Sequence, residues 1–308
     1  MNTKLKGYLL AACAAATYGM NPLFALPLYE NGLDTFSVLF LRYLTALPIV
    51  AIMLKARGRG LNIGRRNTFL SLIMGVLMAS SSISLFMSYL YMNAGIASTL
   101  LFIYPVMVAL IMALFFKERL SLLLVLCLLL TATGIGILIK GSDGAVLSLT
   151  GVLLVMTSSL TYAIYIVSIN QSSLRSVATL QVTFFVLLVG TIIFFICTGC
   201  GQNLILPDKW WLWLCVVALA LFPTVISFLC TTTAIQYVGS TPTAILGALE
   251  PVTAIFFGIT IFNEILTWHD IVGIVLIITA VTIVVADSHL TRKLTNIRRL
   301  FPRIKKQK

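Results

Sequence analysis

Long apolar stretches follow one another along almost the whole chain, and short polar or charged segments separate them. A helix needs about 20 mostly apolar residues to cross a bilayer. The uncharged stretch 67–116 is too long for one crossing, and Asn93-Ala94-Gly95 predicts a turn within it. The pattern predicts an all-α polytopic membrane protein with about ten transmembrane helices, called spans one to ten here. The runs are 7–29, 36–54, 69–92, 96–116, 120–139, 148–169, 177–197, 210–235, 241–262 and 268–286.

The chain repeats itself, with five predicted spans in each copy. A shift of 146 residues carries Pro105 onto Pro251, and a shift of 144 carries Tyr18 onto Tyr162. Because five is odd, the second copy is expected to lie inverted in the membrane. Inverted repeats are typical of secondary transporters, whose substrate site lies near the bilayer midplane between the repeats. The predicted units are residues 1–143, residues 144–290 and a basic tail, 291–308.

The charges indicate how the chain is oriented. Only 10% of the residues are charged, whereas a soluble domain usually contains about 25%. If the N-terminus faces the cytoplasm, 18 of the 21 Lys and Arg residues fall in inner segments or in the two termini. The positive-inside rule therefore predicts two cytoplasmic termini. We expect the protein to lie in the cytoplasmic (inner) membrane. The same distribution argues against nucleic acid as a partner, since the basic tail is suited to anionic lipid.

Two prolines at matching places predict breaks in spans four and nine. Pro105 and Pro251 each remove a helical hydrogen bond and crowd the carbonyl four residues earlier, at Leu101 and Gly247. A carbonyl freed at membrane depth needs a partner or a wet cavity. Paired breaks favour a cavity in which both prolines act as hinges, and a packed kink is the alternative.

Glu250, directly before Pro251, is the only acid deep inside a predicted span. Burying such a charge costs about 2.5–3.5 kcal/mol on insertion scales, which predicts a use or a partner. It could bind a cationic substrate group, carry a proton or pair with Arg42, the only base within a span. Arg42 could instead extend outward toward Glu30 and Asp34.

Polar side chains recur at helical spacing in several spans, which predicts a polar interior facing away from lipid. Hydrogen bonding between helices would explain any single stripe equally well. Cys197 and Cys200 have the spacing of a redox pair, but they stand at the end of a span. The residues predicted to face the substrate are Glu250, Tyr104, Tyr18, Asn21, Tyr162 and Ser84.

Motifs of soluble enzymes are missing from the sequence. It contains no H-E-x-x-H, no Walker A loop, no G-x-S-x-G and no clustered metal ligands. No catalytic residue, cofactor or metal is therefore predicted. An integral-membrane enzyme would need titratable groups clustered at one membrane face, and a sensor would need a sizeable soluble domain. Transport of a small molecule remains the favoured function.

Ordered motifs occur in both halves of the chain. They are Thr17-Tyr18-Gly19-Met20-Asn21-Pro22, Arg42-Tyr43-Leu44, Tyr104-Pro105-Val106, Lys117-Glu118-Arg119-Leu120, Leu249-Glu250-Pro251-Val252 and Asn263-Glu264-Ile265-Leu266. With these elements the chain resembles two EamA domains of the drug/metabolite transporter superfamily over nearly its whole length. Lys117 and Asn263 replace the Gly that usually precedes the motif glutamates, and Tyr18 stands where Trp is common.

The resemblance implies ten helices, alternating access and a central cavity lined by spans one, three, four, six, eight and nine. Spans five and ten would stand apart, where they could form a homodimer contact. Family members export or exchange metabolites, so export of an amino acid, amine or related compound is expected, with uptake or exchange as the alternative. Glu118 and Glu264 are expected to be capping or gating groups because they lie at span ends. The substrate itself does not follow from the fold.

Overall fold

A computed structural model describes most of the chain. The described residues are 3–116, 148–238, 246–247, 249–264, 266–269, 271–280 and 282–283, together with positions 126, 129–130, 133–134 and 137. Most of predicted span five, the motif Lys117–Leu120 and the basic tail 291–308 therefore lie outside the described residues. Every element in the described part of the chain is helical.

Twelve helices are named here in chain order. They are α1 (Thr3–Gly19), α2 (Asn21–Glu30), α3 (Thr35–Ala56), α4 (Arg65–Ser88), α5 (Ala94–Leu101), α6 (Tyr104–Phe116), α7 (Leu149–Gln171), α8 (Thr179–Cys197), α9 (Trp210–Ala220), α10 (Ser227–Val238), α11 (Leu249–Phe262) and α12 (Ile271–Ala280). A short 3-10 turn, Ser173–Ser176, follows α7, and a π-helical segment, Leu221–Ile226, joins α9 to α10.

Seven described helical stretches are long and apolar enough to cross a membrane, and they correspond to predicted spans one to four and six to eight. Predicted spans nine and ten contain the shorter apolar helices α11 and α12. The seven stretches are Leu5–Glu30, Thr35–Ala56, Arg65–Ser88, Ala94–Phe116, Leu149–Ile169, Thr179–Cys197 and Trp210–Thr231.

Local sequence explains where several helices begin and end. The Asp34 side chain accepts hydrogen bonds from the amides of Phe36 and Ser37, which caps the start of α3. After α8 the chain turns through three successive residues with positive φ, from Gly199 to Gly201. Cys197 ends α8 and Cys200 is the middle residue of this turn, and both are free, exposed thiols.

In the part of the chain that the structure describes, three spans are interrupted near their middles. Span one stops at Gly19 and restarts at Asn21, with Pro22 in the first turn of α2. Span four stops at Leu101 and restarts at Tyr104, with Pro105 in the first turn of α6. Span eight passes through the π-helical segment that contains Pro223. In the two clean breaks the proline begins the second half-helix, where its missing N–H is tolerated.

The same interhelical contacts occur twice, related by the shifts that relate the repeats. Ser81 on α4 donates to the carbonyl of Ser158 on α7 at 3.1 Å. The equivalent Ser227 on α10 donates to the carbonyl of Ala14 on α1 at 2.8 Å. Both α1 and α7 thus pack on a helix from the other half of the chain.

Glycines at two equivalent positions make this close packing possible. A Cβ on Gly7 would lie 2.9 Å from the Cβ of Tyr237, and a Cβ on Gly151 would lie 3.1 Å from the Cβ of Tyr91. Both distances are shorter than ordinary van der Waals contact, so a larger residue would force the helices apart. Small residues therefore determine the spacing of both helix pairs.

Candidate functional site

Glu250 lies in the first turn of α11, where this helix crosses the break in span one. The side chain is buried, with 9% of its surface exposed. The backbone carbonyl of Glu250 packs directly against Gly19, and a Cβ on Gly19 would lie 2.8 Å from the Cβ of Thr253. Only glycine permits this approach of α1 to α11. The crossing places the only acid predicted inside a span next to an interrupted helix.

Four tyrosines surround the Glu250 carboxyl closely enough to interact with it electrostatically. Tyr18, Tyr104 and Tyr162 were predicted to face the substrate, and Tyr89 was not. The rings of Tyr104 and Tyr162 meet edge to face, with their centroids 4.8 Å apart. The structure thus assembles an acid and an aromatic wall from spans one, three, four, six and nine.

Arg42 forms a second charged group of the interior and is also buried, with 6% of its surface exposed. Its Nε donates to the Thr224 hydroxyl at 3.0 Å, and its Cζ lies 5.2 Å from the centroid of the Phe86 ring. Within the described residues these contacts replace an ion pair with an acid, whether Glu250, Glu30 or Asp34. Thr224 itself lies in the π-helical segment beside Pro223.

Tyr18 connects the two charged groups. Its phenol interacts electrostatically with both Glu250 and Arg42. Neighbouring Asn21 is 2% exposed, its Nδ2 donates to the Tyr18 carbonyl at 3.0 Å, and its Oδ1 has no hydrogen-bond partner in the protein. A buried polar atom without a partner costs about 1–3 kcal/mol, so this oxygen can accept a hydrogen bond from a bound molecule.

The break in span four leaves a carbonyl that the other half of the chain satisfies. The Ser159 hydroxyl of α7 donates to the Leu101 carbonyl at 3.1 Å, and it also lies 3.4 Å from the Leu100 carbonyl. Ser159 is fully buried. The Leu101 carbonyl, which the sequence predicted to need a partner, is therefore satisfied by Ser159. Ser159 lies next to Tyr162 on the same helix, α7.

Ser84 is the predicted site residue that the structure does not join to this cluster. It is buried on α4, yet among the described residues no hydrogen bond, ring contact or electrostatic interaction connects it to Glu250. Ser81, one turn earlier, makes the polar contact to α7 instead. The polar contact of this part of α4 thus joins two helices.

Sequence reasoning missed several residues of the site. Thr224 and Ser159 stand in or beside polar stripes of their spans, so their position was visible although their partners were not. Phe86 and Tyr89 carried no signal, because aromatic residues are common in membrane helices. In the described part of the chain, no three His, Cys, Asp or Glu residues come together in a group that could hold a metal ion.

Comparison with solved structures supports the fold. The chain is similar to a protein whose structure is described only as "Crystal structure of protein", with a TM-score of 0.63 and 19% sequence identity. The alignment covers 95% of this chain and 98% of that chain. At this identity the likeness concerns the fold alone. No curated protein is similar enough to match the chain.

Comparison with protein families identifies the relationship. The model of the EamA-like transporter family matches the chain twice, over residues 5–140 and residues 149–286. The two matches together span most of the sequence and include every residue of the Glu250 and Arg42 clusters. The chain belongs to the EamA-like transporter family.

Proposed function

We propose that the protein is a secondary transporter that exports an amino acid, an amine or a related small metabolite by alternating access. The observation that carries this proposal is the buried Glu250 carboxyl among four tyrosines, placed where the start of α11 crosses the break in span one. Interrupted helices at membrane depth are the places where transporters bind substrates.

The two charged groups suggest which substrates the interior accommodates. A carboxylate next to tyrosine rings suits an ammonium group, which both an ion pair and cation–π attraction stabilise. The Arg42 guanidinium suits a carboxylate. In the contacts described above it uses only its Nε to donate to Thr224. Tyr18 interacts electrostatically with both charges, and this observation favours a small zwitterion as the substrate.

The transport cycle follows from the predicted topology. Both termini would face the cytoplasm, and the two five-helix repeats would lie inverted in the inner membrane. Pro105 and Pro251 would act as hinges, because Pro105 lies in the first turn of α6 and Pro251 lies in the first turn of α11. Spans five and ten remain the proposed surface for a homodimer.

A growth assay with one matched pair of variants tests this function. Strains that lack or overexpress the protein are grown with amino acids, amines and toxic analogues, and Glu250→Gln is compared with Glu30→Gln. The second variant makes the same chemical change at an exposed acid. We expect overexpression to protect against one class of compound, Glu30→Gln to protect equally and Glu250→Gln to fail.

Each other outcome removes part of the proposal. If Glu250→Gln protects as well as the parent, Glu250 is structural and does not bind the substrate. If neither strain differs from wild type, export is wrong and uptake or exchange takes its place. If purified protein in liposomes converts a compound without moving it, the protein is an integral-membrane enzyme.

A further inference from the structure

Glu264 follows the end of α11 and reaches across to the start of α5, which belongs to the other half of the chain. Its Oε1 accepts a hydrogen bond from the Ala94 amide at 2.9 Å, and the next amide, that of Gly95, also bonds to the carboxyl. Asn93, the residue before α5, provides no side-chain cap. The carboxylate of one repeat therefore takes the capping position for a helix of the other repeat.

Several backbone features hold Glu264 in this place. Its amide donates to the Gly258 carbonyl at 2.9 Å, which turns the chain back onto α11. A Cβ on Gly258 would collide with the Glu264 carboxyl, and a Cβ on Gly95 would lie 3.4 Å from Oε2. Asn263 adopts the left-handed conformation, with φ 52°. Two glycines and one unusual backbone angle thus form a fitted space for this carboxyl.

The carboxyl joins two helices that belong to different repeats. A helix begins with amides that have no partner within the helix, and a negative charge there is favourable. Burial raises the pKa of the Glu264 carboxyl, and the hydrogen bonds from the Ala94 and Gly95 amides partly oppose this shift. Next to it α5 packs directly on α11, because a Cβ on Gly95 would lie 3.0 Å from the Cγ1 of Ile255.

We propose that Glu264 is a latch: its contacts with Ala94 and Gly95 keep the ends of spans four and nine closed, and their release opens that end of the protein. The charge bias assigns this end to the outer face. The proposal rests on the proposed function, since closing and opening matter only for a chain that alternates between its two faces. In this proposal Glu264 is a positioning residue, and it does not need to contact the substrate.

The test measures opening directly and does not depend on transport. Ser98 is buried on α5, one turn beyond the latched amides, with 4% of its surface exposed. In Ser98→Cys protein in intact cells, a membrane-impermeant maleimide reacts at a rate that follows how often this end opens. The modification is quantified on the peptide that contains the introduced thiol, so the native cysteines do not interfere.

Two variants break the latch in different ways, and each has a control. Glu264→Ala removes the carboxyl, with Asp208→Asn as the control at an exposed acid. Gly258→Ala leaves the carboxyl but fills its space, with Gly60→Ala as the control because nothing lies within 4 Å of a Cβ there. We expect about tenfold faster labelling in both latch variants, the least that a lost charge-assisted hydrogen bond would give.

Unchanged or slower labelling in both latch variants would overturn the proposal. Glu264→Gln keeps one acceptor oxygen and should label at an intermediate rate, and it replaces Glu264→Ala if that variant does not fold. Faster labelling in a protein that moves no substrate would leave the latch standing and remove the proposed function. Unchanged labelling in a protein that transports its substrate would overturn the latch and leave the proposed function standing.

Discussion

The interface between spans two and eight differs in kind from its repeat equivalent between spans seven and three. In the first, buried Arg42 donates to Thr224. The same shifts place Val186 at the position of Arg42 and Met78 at that of Thr224. Val186 and Met78 belong to one apolar cluster together with Met74 and Tyr165. Both interfaces hold the helices together, but only one of them buries a charge.

This difference shows what is needed for packing and what is not. The apolar version demonstrates that helix packing at this position does not require an arginine. A buried guanidinium costs free energy in a membrane, so its presence on one side only indicates a role other than stability. The same reasoning applies to span one, which is broken at Asn21 and Pro22. Its equivalent span six has Tyr165 and Ile166 there and remains one continuous helix, α7.

The largest expected effect comes from removing the charge at the first interface. Arg42→Met, which imitates the apolar version, should leave the protein folded and lower transport by about 30-fold or more, which corresponds to the 2–5 kcal/mol of a truncated buried charge contact. Val186→Met is the matched control and should transport normally. Uptake of labelled substrate into inverted vesicles measures both. Normal transport by Arg42→Met would show that the arginine is only structural.

The next effect concerns the crossing of spans one and nine. Gly19→Ala inserts a methyl group against the Glu250 carbonyl and Thr253, and overpacking of this kind costs about 1–3 kcal/mol. The equivalent position in span six is already Ala163, so Ala163→Gly should cost no more than about 1 kcal/mol. Thermal unfolding in detergent compares the two variants. Equal stability of Gly19→Ala and wild type would mean that the close crossing does not form.

A smaller effect is expected at the carbonyl that the break in span four frees. Ser159→Ala leaves the Leu101 carbonyl without its side-chain partner and should lower stability by about 1–2 kcal/mol. In the other half the equivalent residues are Ala15 and Gly247, and Gly247 accepts the amide of Glu250 instead. Ala15→Ser should therefore leave the unfolding temperature close to that of wild type. A loss in Ala15→Ser as large as in Ser159→Ala would contradict this assignment.

The smallest effect tests the duplicated contact between helices. Ser158→Ala would give the α4–α7 pair the same residue as its equivalent, Ala14, and should cost about 0.6 kcal/mol, the average for such bonds in membranes. Ser227→Ala removes the single bond to the Ala14 carbonyl and should cost a similar amount. The unfolding midpoints of both variants measure the difference. A cost of several kcal/mol in either variant would give these serines a larger role than helix packing.

Much of the fold could be predicted because the bilayer imposes a strict length on apolar helices. Seven predicted runs correspond to helical stretches long enough to cross a membrane, and the twofold family match agrees with the internal repeat. The breaks were only partly visible. Pro105 indicated the break in span four, whereas the interruption at Met20 and the π-helical segment around Pro223 depend on how neighbouring helices satisfy the backbone.

The candidate site was predicted in its members but not in its arrangement. Glu250, Tyr18, Tyr104 and Tyr162 do come together, because polar groups in a membrane protein have few places to go other than the interior. Ser84 was predicted to face the same interior and is buried on α4, but no described contact joins it to these four residues. Asn263 precedes Glu264 at the position where the family resemblance places glycine. Its φ is positive, a conformation that both glycine and asparagine tolerate, which explains why either residue occurs there.

The sequence by itself determined that the chain is an apolar, twofold repeated helical protein with one acid and one base deep inside its spans. Composition and periodicity determine these properties, because they reflect the solvent in which the chain folds. Only the tertiary structure decided that Arg42 contacts Thr224 rather than an acid, that Ser159 satisfies the freed Leu101 carbonyl and that Glu264 caps a helix of the other repeat. These contacts join residues more than 50 positions apart, and their formation depends on how closely the helices approach one another.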